Sequence, residues 1–222
     1  MNSLNVYLSS DLRAIDGKWK SSWVVTENGV STQYHTMAWR SWRGLVNRCK
    51  AGGHVQRKRP AYIGCVNHFA DFQEFAEWCT HQDGYGHKDE FGRHFHLDKD
   101  LISLGNKIYS KDLCCFVPSA INKILAFPSR RSHESLPLGC YFHQRLRKYG
   151  ACIGENGRSR HLGYFLNPIE AHQAWLIEKA KAADRASAEM SQIVPIAASA
   201  LDQLAEKLRI CAKHGKEFAL CQ

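Results

Sequence analysis

Residues 138–165 constrain the fold more than any other stretch. They contain three short runs of alternating side chains, LGCYF, YGACIG and HLGYF, with Glu155-Asn156-Gly157 between the second and third. A period of two interrupted by turn residues predicts a three-stranded antiparallel meander. The chain continues Asn167-Pro168-Ile169-Glu170. Asn167 can cap a helix, Pro168 suits its first position, and Glu170 completes a capping-box-like pattern. Ala171, Ala174, Trp175, Glu178 and Ala182 then share one side, and the small alanines predict close packing of this helix on the sheet. Pro195 breaks the chain. A last helix is expected over 197–214, with Leu201, Leu204, Leu208 and Cys211 on one stripe.

The wider stretch around it holds most of the excess charge. The chain carries a net +9 over 222 residues. Residues 123–164 hold eight basic side chains (Lys123, Arg130, Arg131, Arg145, Arg147, Lys148, Arg158 and Arg160) against Glu134 and Glu155, a local excess of six. A basic segment interleaved with aromatics attracts a polyanion, and nucleic acid is the common one. The plainer alternative is a solvated basic face without a partner.

The N-terminal half has its own pattern. Trp19, Trp23 and Val25 precede Asn28-Gly29, a type I′ hairpin signal, and Val30 follows it. Met37, Trp39, Trp42, Leu45, Val46 and Cys49 fall at helical spacing, with Arg40, Arg43, Arg48 and Lys50 off that face. Phe69, Phe72, Phe75, Ala76 and Cys79 also have helical spacing, which predicts a second helix whose aromatics serve as core. The polar, glycine-rich run THQDGYGHKDEFGR reads as a loop. A short strand is expected at 94–97, a turn over 100–106, a helical turn near Ser110-Lys111-Asp112, and a short helix after Pro118 that carries Asn122. Residues 126–136 read as a linker.

Hydrophobic residues make up 44% and charged residues 23%, with six Trp, ten Phe and eight Tyr. So many apolar anchors exclude global disorder. No run approaches the roughly 18 apolar residues of a membrane span, and the N-terminus lacks the pattern of a secretory signal. The nine cysteines include no CxxC pair, so they are expected as reduced thiols of a cytoplasmic protein, packed as small hydrophobes.

The segment richest in chemistry is His94-Phe95-His96-Leu97-Asp98-Lys99-Asp100, followed by Asn106 and Asn122. On a strand, His94, His96 and Asp98 would point to one face. Two imidazoles and a carboxylate can hold a divalent cation or pair a base with a metal ligand. Metal-assisted phosphodiester hydrolysis needs those two functions. The alternative is ordinary polar satisfaction, with Asp98 and Asp100 capping turns.

The run LDKDLISLGNKIYSKDLCCFVPSAIN resembles a family of bacteriophage proteins related to HNH homing endonucleases. The pattern shared is LDKD, a glycine-asparagine pair, YS, a cysteine, VP and a further asparagine. MAWRSWRGLVNRC and FADFQEFAEW resemble the helices that precede it in that family. LGCYFHQRLRKYGACI and HLGYFLNPIEAHQAWLIEKA resemble the plant ethylene-response-factor DNA-binding domain often fused to such nucleases. The resemblance spans about residues 36–182. It implies a ββα-metal unit with Asp98 at the position of a metal-binding aspartate, Asn106 in the intervening turn, and Asn122 near the helical ligand. The cation implied is Mg²⁺, with Mn²⁺ or Zn²⁺ as alternatives. Lys99 stands where the family has a histidine, so the base would be His94 or His96, with Asp100 counted beside them. In the downstream domain, Arg145, Arg147, Lys148, Tyr149, Arg158, Arg160 and His161 occupy the sheet positions that meet DNA, and the linker's Arg130 and Arg131 add to them.

The fold class expected is α+β: a degenerate HNH-like ββα-metal module, then a three-stranded antiparallel sheet packed on a helix, then a C-terminal helix. The divisions expected are 1–125, a linker at 126–136, a DNA-binding domain at 137–185, and a helical extension at 186–222. The function expected is a metal-dependent HNH-type endonuclease acting on double-stranded DNA in an infected bacterium's cytoplasm. The alternatives are a phage DNA-binding protein without chemistry and an inhibitor of a host defence protein.

Overall fold

A computed structural model of the chain describes residues 16–125, 136–155 and 158–218. It is a mixed α+β protein that divides into two compact units, residues 1–119 and 120–222. The linker arginines Arg130 and Arg131, the Asn156-Gly157 turn and Cys221 lie outside the described residues.

The first unit opens with a hairpin of β1 (Ser22–Glu27) and β2 (Val30–His35). Asn28 and Gly29 both have positive φ, 51° and 77°, as a type I′ turn demands. Thr36 follows and caps α1 (Met37–Cys49): its Oγ1 accepts from the Trp39 amide at 3.3 Å. A short helix α2 (His54–Lys58) and a two-residue strand β3 (Val66–Asn67) come next. The second aromatic helix, α3, runs only Phe72–Thr80. It starts later than its periodicity suggests because Asp71 caps it, accepting from Glu74 N at 2.9 Å, while Asn67 turns the chain by accepting from Phe69 N. Phe69 still joins the core. Its ring lies 5.0 Å from Phe75 and 5.1 Å from Trp78. Trp39 meets Phe72 at 4.9 Å, Trp42 meets Phe75 at 5.5 Å, and Trp78 meets Phe116 at 5.9 Å. Aromatic pairs at such spacings add about 0.5–1.5 kcal/mol each beyond their buried area.

Beyond the polar loop, β4 (His96–Asp98) pairs antiparallel with β6 (Cys115–Val117), with β5 (Ile108–Tyr109) between them in sequence and α4 (Ser119–Leu125) after them. β5 runs parallel to β3. The expected strand at 94–97 is thus shifted: His94 makes only an isolated bridge to Lys88. Residues 111–113 form a turn, and β6 is a strand that the apolar run CCFV does not distinguish from a buried helical segment.

The second unit is built on the meander. β7 (Cys140–His143), β8 (Lys148–Glu155) and β9 (Arg158–Phe165) form an antiparallel sheet in the order β7-β8-β9, with a register shift at Ala151/Cys152. α5 (Pro168–Met190) begins as its residues predict: Asn167 accepts from Glu170 N at 2.9 Å and Pro168 enters the first turn. It buries Ala171, Trp175, Leu176 and Ala180. Trp175 sits where a side chain at Gly139 would be, 2.2 Å from the Cβ it lacks. α5 runs unbroken to Met190, through the expected boundary at 185, because Ala183, Ala186 and Ser187 are buried too. α6 (Pro195–Lys213) packs along it, with Leu201, Leu204 and Leu208 fully buried and Ser187 Oγ donating to the Ala198 carbonyl at 3.1 Å. Pro195 starts this helix, after a turn at 191–193 that follows the end of α5. Among the described residues, no helix is long and apolar enough to cross a membrane.

Candidate nucleic-acid interface and the 94–106 loop

The sheet of the second unit has two unlike faces. Alternation along β8 sends Ala151 and Ile153 inward, and both are buried. Cys140 is opposite Ala151, and Arg160 is opposite Ile153, so all four share the helix-facing side. Arg160 confirms the assignment by pairing with Glu178 of α5 at 2.6 Å. Tyr149 belongs to this side by the same parity, and its ring meets Phe142 at 5.2 Å.

The other face carries Tyr141 and His143 from β7, Lys148 and Gly150 from β8, and His161 and Tyr164 from β9. They form a continuous aromatic surface. His161 and Tyr164 are 4.4 Å apart, His143 and Tyr164 5.2 Å, and Tyr141 Oη lies 3.3 Å from His161 Nδ1. Gly150 makes the surface possible: a Cβ there would come within 2.4 Å of the Tyr141 ring. Tyr164 remains 40% exposed. Lys148 stands at one end opposite His143, and the exposed turn beside it presents Arg145 and Arg147. Arg147 has φ 49°, a left-handed conformation that costs a non-glycine residue about 1 kcal/mol. Exposed Arg158 opens β9.

Of the expected DNA-contacting residues, Lys148 and His161 therefore share the open face, Arg145 and Arg147 lie at an exposed turn, and exposed Arg158, opposite Glu155, has the parity of Arg160. Tyr149 and Arg160 do not join them, since both side chains belong to the helix side. Tyr141, His143 and Tyr164 were not expected in this role. Their signal was the period of two in Tyr141 and His143 opposite a glycine.

The 94–106 segment is a differently built structure. His96 is exposed, whereas Asp98 is only 8% exposed. Asp98 Oδ1 accepts from the amides of Asp100 and Leu101 at 2.9 and 2.7 Å, the geometry of an Asx turn. Burial, reinforced by Asp100, pushes its carboxyl above the usual range. The Asn106 amide is spent on its own loop. Its nitrogen donates to the Lys99 and Ile108 carbonyls at 2.8 and 2.7 Å, and its oxygen accepts from Ile108 N at 2.8 Å. Lys99, 4% exposed, buries its ammonium between Asp100 Oδ1 and the Asn106 carbonyl, 5.9 Å from the centre of the Tyr109 ring.

This donor set does not fit a divalent cation. The Asn106 oxygen is engaged, Asp98 is held by two amides in surroundings that disfavour its charge, and a lysine ammonium already supplies positive charge to the loop. Among the described residues, no group of three or more His, Cys, Asp or Glu side chains could hold a metal ion. His94 and His96 line one cleft, and Asp98 is not among its lining residues. Asn122 lies on α4 with its Oδ1 buried and without a hydrogen-bond partner among the described residues. Burial pushes the Cys114 and Cys140 thiols up to about 12 and Cys49 to about 11, as expected for thiols packed as small hydrophobes.

Compared with known proteins, the chain matches no family model, no curated protein and no solved structure.

Proposed function

We propose that this protein binds double-stranded DNA through the open face of β7-β8-β9, without a metal-dependent cutting step. The observation that carries this reading is the aromatic surface of Tyr141, His143, His161 and Tyr164, flanked by Lys148 and the Arg145–Arg147 turn. A helix covers one side of the sheet and leaves the other exposed. Such a sheet can lie in a major groove, with its basic turn on phosphates and its flat rings and imidazole nitrogens at base edges. The net charge of +9 supports the approach to a polyanion. The resemblance to sheet-type DNA readers supports the same partner. It also suggests a phage protein acting in the cytoplasm of its bacterial host.

A second reading is the HNH-type endonuclease. It is favoured by the chain order, in which the antiparallel pair β4 and β6 is followed by α4. The donor set of the 94–106 loop speaks against it.

One experiment separates the two. Labelled duplex DNA and supercoiled plasmid are incubated with the full chain in EDTA, Mg²⁺ or Mn²⁺. The proposal expects retarded duplex and intact plasmid under all three conditions. Nicking that needs Mg²⁺ or Mn²⁺ and is lost in His96→Ala would favour the endonuclease. Absence of retardation at low salt would overturn the DNA-binding reading.

A further inference from the structure

The cleft beside β4 has a basic composition that the DNA-binding reading does not use. It measures about 400 Å³ and lies between α1 and the segment 93–97. Arg40, Ser41 and Arg48 line it from the helix, and Arg93, His94 and His96 line it from the other side. No carboxylate is among its lining residues. A cation site needs oxygen or thiolate donors of negative charge, and this cleft offers the reverse.

The positive groups are not neutralised equally. Arg93 is tied to Asp89 at 2.7 Å and is satisfied. Arg40 is exposed and has no ion-pair partner among the described residues. Arg48 is half-buried: its Nη1 donates to Tyr109 Oη at 3.4 Å, and its guanidinium lies 5.5 Å from the centre of the Tyr62 ring. Burial alone would weaken its charge, but the two tyrosines and Asp98 more than compensate and keep it protonated. His94 shows the resulting field: burial pushes its imidazole down, and Lys88 and Arg40 push it further. α1 begins beside the cleft and has no acidic residue in its first turn, so its amide dipoles add to the positive potential.

We infer that this cleft is an oxyanion site, which takes a phosphate group directly on Arg40, Arg48, His94 and His96 with no bridging metal. Arginine suits the role because its planar fork can donate two hydrogen bonds to one phosphate. Exposed His96 and Ser41 can donate further bonds from opposite walls. The phosphate would be free or part of a nucleic-acid backbone, in which case the first unit grips the same strand chemistry as the sheet of the second. The inference does not depend on the DNA-binding reading, because it concerns different residues and a simpler ligand.

The test uses the full chain and inorganic pyrophosphate, titrated by calorimetry at low ionic strength in EDTA. One equivalent is expected to bind. Arg40→Ala and His96→Ala, both at exposed positions, should each weaken that binding at least about tenfold, the loss of one charge-assisted contact. Lys148→Ala should leave it unchanged, which keeps failure of this site distinct from failure of the sheet. A duplex that competes with pyrophosphate in the Lys148→Ala chain identifies a nucleic-acid phosphate as the source, and lack of competition identifies a free one. Equal pyrophosphate binding by wild type, Arg40→Ala and His96→Ala would overturn the inference. So would Mn²⁺, seen by loss of its free paramagnetic signal, binding to wild type but not to His96→Ala.

Discussion

Arg160 of β9 reaches Glu178 of α5 at 2.6 Å, and this ion pair marks the side of the three-stranded sheet that α5 closes. The same strand places His161 on the opposite side, against Tyr141 and Tyr164. Two neighbouring basic positions therefore have opposite roles. Arg160 is partly exposed, so its pair contributes less than about 1 kcal/mol. Arg160→Ala should lower the unfolding free energy by no more than that in a urea titration. Its affinity for duplex DNA should stay within about twofold of wild type.

Gly150 lies beneath the Tyr141 ring, and a methyl group there would overlap it at 2.4 Å. The ring belongs to the surface proposed to meet DNA. Gly150→Ala must displace it, at a cost of roughly 1–3 kcal/mol for overpacking. Duplex affinity should fall with stability, and Tyr141→Ala should lower affinity with a smaller loss of stability. Gly150→Ala with wild-type DNA affinity would remove Tyr141 from the interface.

Asp98 distinguishes a turn-forming carboxylate from a metal ligand. Its folded pKa is raised, chiefly by burial, so folding favours the protonated form. Stability therefore falls as pH rises from about 3.9, the unfolded value, through the folded one. Asp98→Asn keeps an oxygen for the amides of Asp100 and Leu101 and removes that titration. At pH 7 it should be as stable as wild type or more so, with a flatter acid-side profile. Asp98→Ala should lose about 1–3 kcal/mol, because two buried amides lose their acceptor. Mg²⁺ and EDTA should give the same melting temperature for all three chains.

Lys179 of α5 titrates with the opposite sense. Burial pushes its ammonium down to about 8, and its Nζ donates to the Ile124 carbonyl at 2.8 Å. The folded state sheds this proton more readily than the unfolded state. Its contribution to stability therefore rises from about pH 8 to about 10.4, the unfolded value. Lys179→Met lacks that rise. The difference in unfolding free energy, wild type minus Lys179→Met, should grow across this interval, and a constant difference would contradict the burial of the ammonium.

The elements legible in the sequence were those specified by local chemistry. Asn28-Gly29 dictated a hairpin, Asn167-Pro168 a helix start, and the alternation of 138–165 a sheet. The misread elements depend on long-range pairing. β6 exists because Cys115, Phe116 and Val117 lie opposite Asp98, Leu97 and His96, and no local periodicity announces a three-residue buried strand. The site residues divide in the same way. Parity along a strand could place Tyr141 and His143 on one face, but only the packing of α5 decides which face is open. A lysine in the metal-ligand motif was visible from the outset. That its ammonium folds into the loop, between Asp100 and Asn106, required the structure.

The central claim is that duplex DNA meets the open sheet face, and salt dependence tests it most directly. The affinity of the full chain for a duplex is measured by fluorescence anisotropy over a series of salt concentrations, for wild type and Lys148→Ala. The account predicts weaker binding for Lys148→Ala at every salt concentration, with the slope of log affinity against log salt reduced by about one, the loss of a single phosphate contact. The same affinity and the same slope in the two proteins would contradict it.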